Sequence, residues 1–409
     1  MKSEAFTLRN GMPVFVYPLP YLESVGLAVG VNYGSIDDRK EINGAAHYLE
    51  HMLFKGTKKR SYEQINDEVR GMGAYNNAFT TFENTVYLFR GHSYYFGEML
   101  DILSDMIKNS TLPPKECELE RGPVINENLI HQDNPRFFFS DNFGKVLYKK
   151  HPAAMPVGGS RESIERVKRK DLLEIYNNSY SPRNMFLVIY GNVKAEAARA
   201  ASKRYFDGFT GKMPKNKRPI ANEPQKKGEL IVRKENLKQA RVGVGFKCLP
   251  YRPDRLREFL SMSVISKILS YRLFDEVREK KGLSYDPSAS YYPYSTFGFI
   301  GAQAGVEPGN ISEAKGIILR EFGRMSRGDV TDAEVKSAKT GLKIQYRMLR
   351  EDTLDMASAI SSYKLLTGDY RFVEKLPEMI MTVTMDEVKK YAGKYIDVDN
   401  YSMLVLRPA

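Results

Sequence analysis

The sequence predicts an α+β fold built from two similar units in tandem, each an antiparallel sheet with helices packed on it. Three observations predict it. Strand-like and helix-like segments come in runs rather than in strict alternation. The order of segments after residue 228 repeats the order before residue 212. Between them, KMPKNKRPIANEPQKKG (212–228) is rich in Pro and Lys and reads as a linker. The expected domains are therefore 1–211 and 229–409. A chain of 409 residues is too long for one ordinary core and suits two.

The elements follow in order. A hairpin near 4–18 turns at Asn10-Gly11, and SVGLAVGVNYGS (24–35) is a strand. GAAHYLEHMLFKGT (44–57) is a helix that Gly56 ends. Ser61 and Gln64 form a capping box at the start of a short helix. AYNNAFTTFENTVYLFRG (74–91) alternates and is rich in aromatic and β-branched residues, so it is a hairpin. Helices near 92–108 and 114–132 follow, then a strand over 184–193 and a helix over 194–206. After the linker, 229–234 and 239–250 are strands and 254–270 is a long helix. GLSYDPSASYYPYSTFGFIGAQAG (282–305) is a second hairpin, helices lie near 310–327 and 331–349, and YSMLVLRP closes the chain as a strand. Identity between the halves is faint; the order of elements carries the repeat.

Composition narrows the function. No run of 18 apolar residues exists, so no membrane span is expected. The first residues read as a strand and turn rather than as a leader, and a cytoplasmic protein is expected. Cys117 and Cys248 stand far apart and suggest a reducing compartment without a disulfide framework. The net charge of +12 invites a nucleic-acid partner. The basic residues are nevertheless dispersed and no nucleic-acid-binding motif accompanies them, so none is expected.

The chain has only five histidines, and His47 and His51 are four residues apart with Glu50 between them. On a helix, positions i and i+4 share a face, so both imidazoles can reach one point. Glu50 borders that face. The pattern H-x-x-E-H mirrors H-E-x-x-H and is the inverzincin signature: two zinc ligands beside a carboxylate able to act as a general base. A catalytic zinc site requires a third protein ligand and an open fourth position. The competing reading is two incidental histidines on a helix. The apolar and small flanks weigh against it, because a packed helix carries ionisable groups only for a reason.

GAAHYLEHMLFKGT resembles the zinc-site helix of the pitrilysin-type metallopeptidases, the inverzincins that include insulin-degrading enzyme and the mitochondrial processing peptidase. ELERGPVINENLIHQDNP (118–135) resembles the family's Glu-Arg-x-x-Val-x-x-Glu helix, which supplies the third ligand. The resemblance implies that Glu127 is this ligand. It further implies that Glu120, two helical turns earlier, orients a ligand. Asn128 departs from the aliphatic residue usual after the ligand. NNAFTTFENTVY (76–87) is similar to the family's Asn-Ala-x-Thr edge strand, which receives substrate; this implies peptide binding at Asn77, Ala78 and Phe79 by strand addition. HPAAMPVGGSRESIERV (151–167) is similar to a segment inside the family's first domain. FDEVREKKGLSYDPSASY (274–291) resembles the second-domain motif in which Arg278 and Tyr285 bind substrate carbonyls. Each residue has a plainer alternative: a solvated glutamate for Glu127, a surface ion pair for Glu120, ordinary hairpin residues at 77–79, and a pair with Glu279 or Glu276 for Arg278.

The resemblance implies a zinc-dependent endopeptidase with one Zn2+ per chain, acting on short or unfolded peptides. Four such units form a clamshell chamber in the family, so this chain is expected to supply half of one. Because it carries both the zinc motif and the Arg/Tyr motif, a homodimer is the simplest assembly. The alternative is a catalytically silent structural or partner subunit, a class that characteristically loses part of the zinc set.

Overall fold

The computed structural model describes residues 3–214, 217–235 and 237–409. Met1 and Lys2 of the expected first domain, Lys215 and Asn216 of the expected linker, and Asn236 of the second domain lie outside the described residues. The first sheet contains β1 (Glu4–Thr7), β2 (Pro13–Pro18), β3 (Ser24–Val31), β4 (Tyr75–Thr80), β5 (Thr85–His92) and β6 (Met185–Gly191), in the order β1-β2-β6-β3-β5-β4. The second contains β7 (Gly228–Lys234), β8 (Ala240–Cys248), β9 (Ser288–Pro293), β10 (Gly298–Val306) and β11 (Ser402–Pro408), in the order β7-β11-β8-β10-β9. With β1 set aside, the two orders correspond strand for strand. The repeat read from the sequence is therefore a repeat of topology. Each sheet is antiparallel except where the last strand of the unit returns beside the first: β2 with β6, and β7 with β11, run parallel. Such a return needs a long crossover, which the intervening helices provide.

The helices that matter for the site are α1 (Ala45–Leu53), α2 (Tyr62–Gly71), α3 (Phe96–Asn109) and α4 (Pro114–Asp133). α5 (Pro135–Leu147) and the helices Arg169–Ser179, Thr353–Thr367, Phe372–Met381 and Met385–Tyr395 were not foreseen. In Thr353–Thr367 the buried side chains are Thr353, Met356, Ala357, Ile360 and Ser361, and the small and polar ones among them dilute the apolar period.

The chain forms two compact units that interleave in sequence. One combines the residues up to Asn128 with Val157–Arg218 and Met348–Glu374; the other combines Leu129–Pro156, Pro219–Arg347 and Lys375–Ala409. The reason is that both faces of each sheet are apolar. In the first unit Leu187, Ile189, Tyr87 and Phe89 point into one core with Tyr48, Leu49 and Met52 of α1 and Met99 and Leu103 of α3. Their neighbours Phe186, Val188, Tyr190, Val86 and Leu88 point the other way. That second face is covered by Met356, Ala357 and Ile360 of the late helix Thr353–Thr367. The helix is seated by an Arg90–Asp352 ion pair of 2.6 Å and by Tyr190 Oη donating to the Arg350 carbonyl at 3.0 Å. In the second unit the early helix α5 does the corresponding work. Val242, Val244 and Phe246 of β8 are buried, Phe246 with its ring 4.9 Å from that of Phe322. Gly243 and Gly245 leave the opposite face open to Phe139 and Phe143 of α5.

A Cβ added at Gly243 would lie 1.7 Å from the Phe139 ring. Gly243→Ala is therefore expected to destabilise the protein by about 1–3 kcal/mol through overpacking. Gly316→Ala is the control, since a Cβ at that helical position meets nothing within 4 Å; it should leave stability unchanged or raise it by up to about 1 kcal/mol. Denaturant midpoints of the two variants check this.

Candidate metal and active site

α1 begins where Gly44 turns the chain with φ +95°, a left-handed conformation that suits glycine. Asp38 fixes this end. Its carboxylate is buried and accepts hydrogen bonds from Gly44 N at 2.9 Å, Ala46 N at 3.1 Å and Tyr33 Oη at 3.1 Å. A carboxylate at a helix N-terminus satisfies orphan amides and meets the positive end of the helix dipole. Most of α1 is buried, so the helix cannot rotate without exposing core. This sets the direction of the face that carries His47 and His51, whose rings meet edge-on with centroids 4.8 Å apart.

The third donor comes from α4. Tyr48 Oη donates to the Cys117 carbonyl. Arg121 donates to the carbonyls of Ile164 at 2.6 Å and Val167 at 2.9 Å. Asn128, where an aliphatic residue was expected, donates to the Gly158 carbonyl at 2.6 Å and so ties α4 to the Gly-Gly turn of the 151–167 segment. Held this way, α4 carries Glu127 to the histidines. Glu127 Oε1 lies 3.5 Å from His47 Nε2, and Oε2 lies 3.3 Å from His51 Nε2.

One donor atom from each of His47, His51 and Glu127 lies within 4.8 Å of the others, and among the described residues no other such group could hold a metal ion. Two imidazole nitrogens and one carboxylate suit a catalytic zinc site with a free position. His51 Nδ1 is held at 3.0 Å by Glu120 Oε1, and Lys55 Nζ lies 2.5 Å from Glu120 Oε2. The surface ion pair weighed for Glu120 is thus present, but its lysine sits behind a carboxylate that also holds a histidine. A carboxylate on the far nitrogen fixes the tautomer that leaves Nε2 free to bind a metal. Among the described residues His47 Nδ1 is buried without a hydrogen-bond partner.

Glu50 is buried beside these groups and accepts a hydrogen bond of 2.5 Å from Thr80 Oγ1. Burial raises its pKa, opposed by His47 and by the Thr80 hydroxyl. Hydrogen bonds from His47 and His51 hold Glu127 far below the usual carboxylate range. Burial alone would lower the His51 pKa; its bonds to Glu120 and Glu127 outweigh burial and raise it to about 9.

β4 lies at the edge of the first sheet, paired with β5 alone. Asn77 Nδ2 donates to Tyr75 Oη at 2.8 Å, and Asn77 Oδ1 accepts from Ala78 N at 2.9 Å. Ala78 packs toward the α1 core, whereas Phe79 packs against the opposite face with the Met356 and Ile360 cluster. Alternation along the strand forces this split, so at Phe79 the main chain is what the open edge presents.

In the second unit, helix Leu256–Leu273 continues into a wider π-helical turn, Phe274–Glu279, that carries Arg278. The Arg278 guanidinium lies 4.3 Å from the Tyr285 ring and 4.8 Å from the Phe274 ring, and Nη1 donates to the Tyr285 carbonyl at 3.2 Å. The pairing weighed with Glu279 is present at 3.4 Å. Tyr285 is 81% exposed. Arg278 and Tyr285 are therefore neighbours, stacked and accessible.

Sequence reasoning missed Asp38, Lys55 and Thr80. Lys55 had a signal, its spacing of four residues from His51 within the expected 44–57 helix, although α1 ends at Leu53. Thr80 had one too, as the Thr of the Asn-Ala-x-Thr pattern in the edge strand, whereas Asp38 acts across space and left no local pattern.

The fold and this cluster define a zinc-peptidase-like α+β protein. Residues 17–160 match the profile described as insulinase, peptidase family M16, and residues 166–342 match the profile described as the peptidase M16 inactive domain. The chain belongs to peptidase family M16. A Bacillus subtilis protein described as an uncharacterized zinc protease is 26% identical over 405 residues, covering 99% of this chain and 98% of its own. One from Mycobacterium tuberculosis with the same description is 29% identical over 415 residues, covering 98% and 92%. Among solved structures, a protease from Helicobacter pylori superposes with a TM-score of 0.91 at 21% identity, covering all of both chains. The first half of the Escherichia coli periplasmic protease PqqL gives 0.80 at 17%, covering 100% of this chain and 92% of that one. Among the described residues no helix is long and apolar enough to cross a membrane.

Two outcomes follow from the geometry. Below pH about 9 a metal entering the site displaces a proton from His51, so apparent zinc affinity should rise with pH by up to about tenfold per unit near neutrality. Calorimetric titration in buffers of different ionisation heats reads the released proton directly; an affinity flat in pH would contradict it. Asp38→Ala removes the acceptor for two amides and a phenol, and should cost about 1–3 kcal/mol of stability, read by denaturant unfolding.

Proposed function

We propose that the protein is a zinc-dependent endopeptidase that cleaves short or unfolded peptides. The observation that carries the reading is the convergence of His47, His51 and Glu127 beside a buried glutamate that is hydrogen-bonded to an open edge strand. In this reading His47, His51 and Glu127 are the metal ligands, one ion per chain. A bound zinc would lower the pKa of water and polarise the scissile carbonyl. Glu50 takes the proton of the attacking water and delivers it to the leaving amine. Its raised pKa suits both halves of that task. Glu120, backed by Lys55, holds the His51 ring in register. The substrate lies along β4 as an added strand, bonded to the main chain at Asn77, Ala78 and Phe79, so selectivity for sequence is loose. The Asn77 side chain must swing off Ala78 N to admit it. Arg278 and Tyr285 bind substrate carbonyls with donors that are exposed and rigidly stacked.

A half-chamber per chain, paired in a homodimer, completes the reading. It is supported by the Escherichia coli neighbour, of whose full chain this one covers 47%. Two buried free thiols agree with a cytoplasmic, reducing setting. The description of the second profile as an inactive domain keeps a silent partner subunit as the rival reading. It concerns residues 166–342, which lie outside the His47–Glu127 cluster.

Metal analysis and a peptide-pool assay with and without chelator separate the two. Chelation should abolish cleavage and zinc should restore it. Glu50→Gln should keep zinc yet cut cleavage by at least about 10²-fold, whereas His51→Ala should lose both. Sedimentation of the active species should give a dimer, and Arg278→Ala should lower turnover without releasing zinc. An active monomer would contradict the assembly, and a zinc-loaded protein that cleaves no member of the pool would favour the silent subunit.

A further inference from the structure

We propose that Thr80 is a positioning residue for Glu50 and joins the base to the peptide-docking strand. The inference rests on the reading of Glu50 as general base. Among the described residues the Thr80 hydroxyl is the hydrogen-bond donor to the Glu50 carboxylate, at 2.5 Å to Oε2. A buried carboxylate with one donor is free to turn about its terminal torsion unless that donor is itself fixed. Thr80 is fixed three times over. It is the last residue of β4, in register with Thr85 across the hairpin. Its branched Cβ restricts χ1. Its Oγ1 lies 3.3 Å from Thr85 Oγ1, while Thr85 is wholly buried and donates to the Tyr33 carbonyl at 3.0 Å.

The hydrogen count assigns the directions. Each hydroxyl has one proton. Thr85 gives its proton to Tyr33, so the Thr80 proton is available to Glu50. One carboxylate oxygen is thereby held, and Oε1 is left for water. Thr80 is three residues from Asn77 on the same strand. A peptide that pairs with β4 stiffens the edge that carries the Thr80 hydroxyl, and the carboxylate is aligned when substrate is present.

The test compares Thr80→Val, which is nearly isosteric but has no hydroxyl, with Thr80→Ser, which keeps it. Zinc content, kcat and KM are measured for both, alone and combined with Glu50→Gln, and crystals of Thr80→Val report the carboxylate. Thr80→Val should lower kcat about tenfold with KM within about twofold and zinc content unchanged, because a slightly misplaced base acts on turnover rather than on docking. Thr80→Ser should recover most of the loss. In the Glu50→Gln background Thr80→Val should have no further effect, since residues acting through one another are not additive. An unchanged kcat in Thr80→Val, an equal loss in the Glu50→Gln background, or a loss that Ser does not repair would overturn the proposal. A parent protein that cleaves nothing would refute the peptidase reading instead. The Thr80→Val crystals would then still decide the positioning: a carboxylate in its parental orientation overturns it, and a turned or doubled one supports it.

Discussion

The site depends on one packing contact, the crossing of α1 and α4. Two imidazoles four residues apart need only a helix to share a face, but the third donor must come from elsewhere in the chain. More than seventy residues of entropy stand between His51 and Glu127, and a flexible arrangement would have to order them at each binding event. The protein settles this in folding. Asp38 pins the start of α1, and Tyr48 joins it to α4 at Cys117. Arg121 and Asn128 lock α4 to the 158–167 segment. Pro123, which deprives α4 of one backbone donor, lies within that bracing. The three donors thus stand within reach of one another.

How much of this was legible in the sequence depends on whether a feature is local. His47, Glu50 and His51 could be placed because helical spacing is a local rule. So could the capping box at Ser61, whose hydroxyl and Gln64 exchange the expected bonds, and the 74–91 hairpin, found as β4 and β5. Glu127 was reached only by resemblance, since nothing in its own surroundings distinguishes it from Glu116 or Glu118. Thr80 is legible as the Thr of the Asn-Ala-x-Thr pattern but its partner is not, because a hydroxyl meeting a carboxylate thirty residues away has no periodicity to reveal it. Phe79 was grouped with Asn77 and Ala78, although the alternation of a strand already required its side chain to face away from Ala78.

The exchanged helices were illegible for a different reason. β3, β5 and β6 are buried on both faces, so their near-continuous apolar runs announce two covers without saying where in the chain they lie. The structure takes one cover for each sheet from the far half of the sequence: Thr353–Thr367 for the first and α5 for the second. Each unit therefore completes its core only after most of the chain has been made. Neither half of the sequence, cut at 212–228, would contain all the helices its sheet requires. The linker shares this economy. Arg218 pairs with Asp37 within the first unit, while Glu223 accepts three backbone amides from 149–151 within the second. A stretch whose composition suggested a free tether is bonded on both sides of Pro219.

The charges around the metal cluster obey the same logic of prior commitment. Glu120 would be a poor buried anion alone, because an unpaired carboxylate taken from water is costly. It is instead matched to Lys55 and to the His51 ring, while the two oxygens of Glu127 face Nε2 of His47 and of His51. Burial at His51 is outweighed by its hydrogen bonds to Glu120 and Glu127, which raise its pKa to about 9. Among the described residues the hydrogen-bond donor to Glu50 is a neutral hydroxyl, and burial outweighs the nearby imidazoles. Glu50 is the one carboxylate of the cluster whose proton affinity is raised rather than lowered. Three glutamates on two helices are thus driven apart by their neighbours, two toward lowered and one toward raised proton affinity, within a single small cluster.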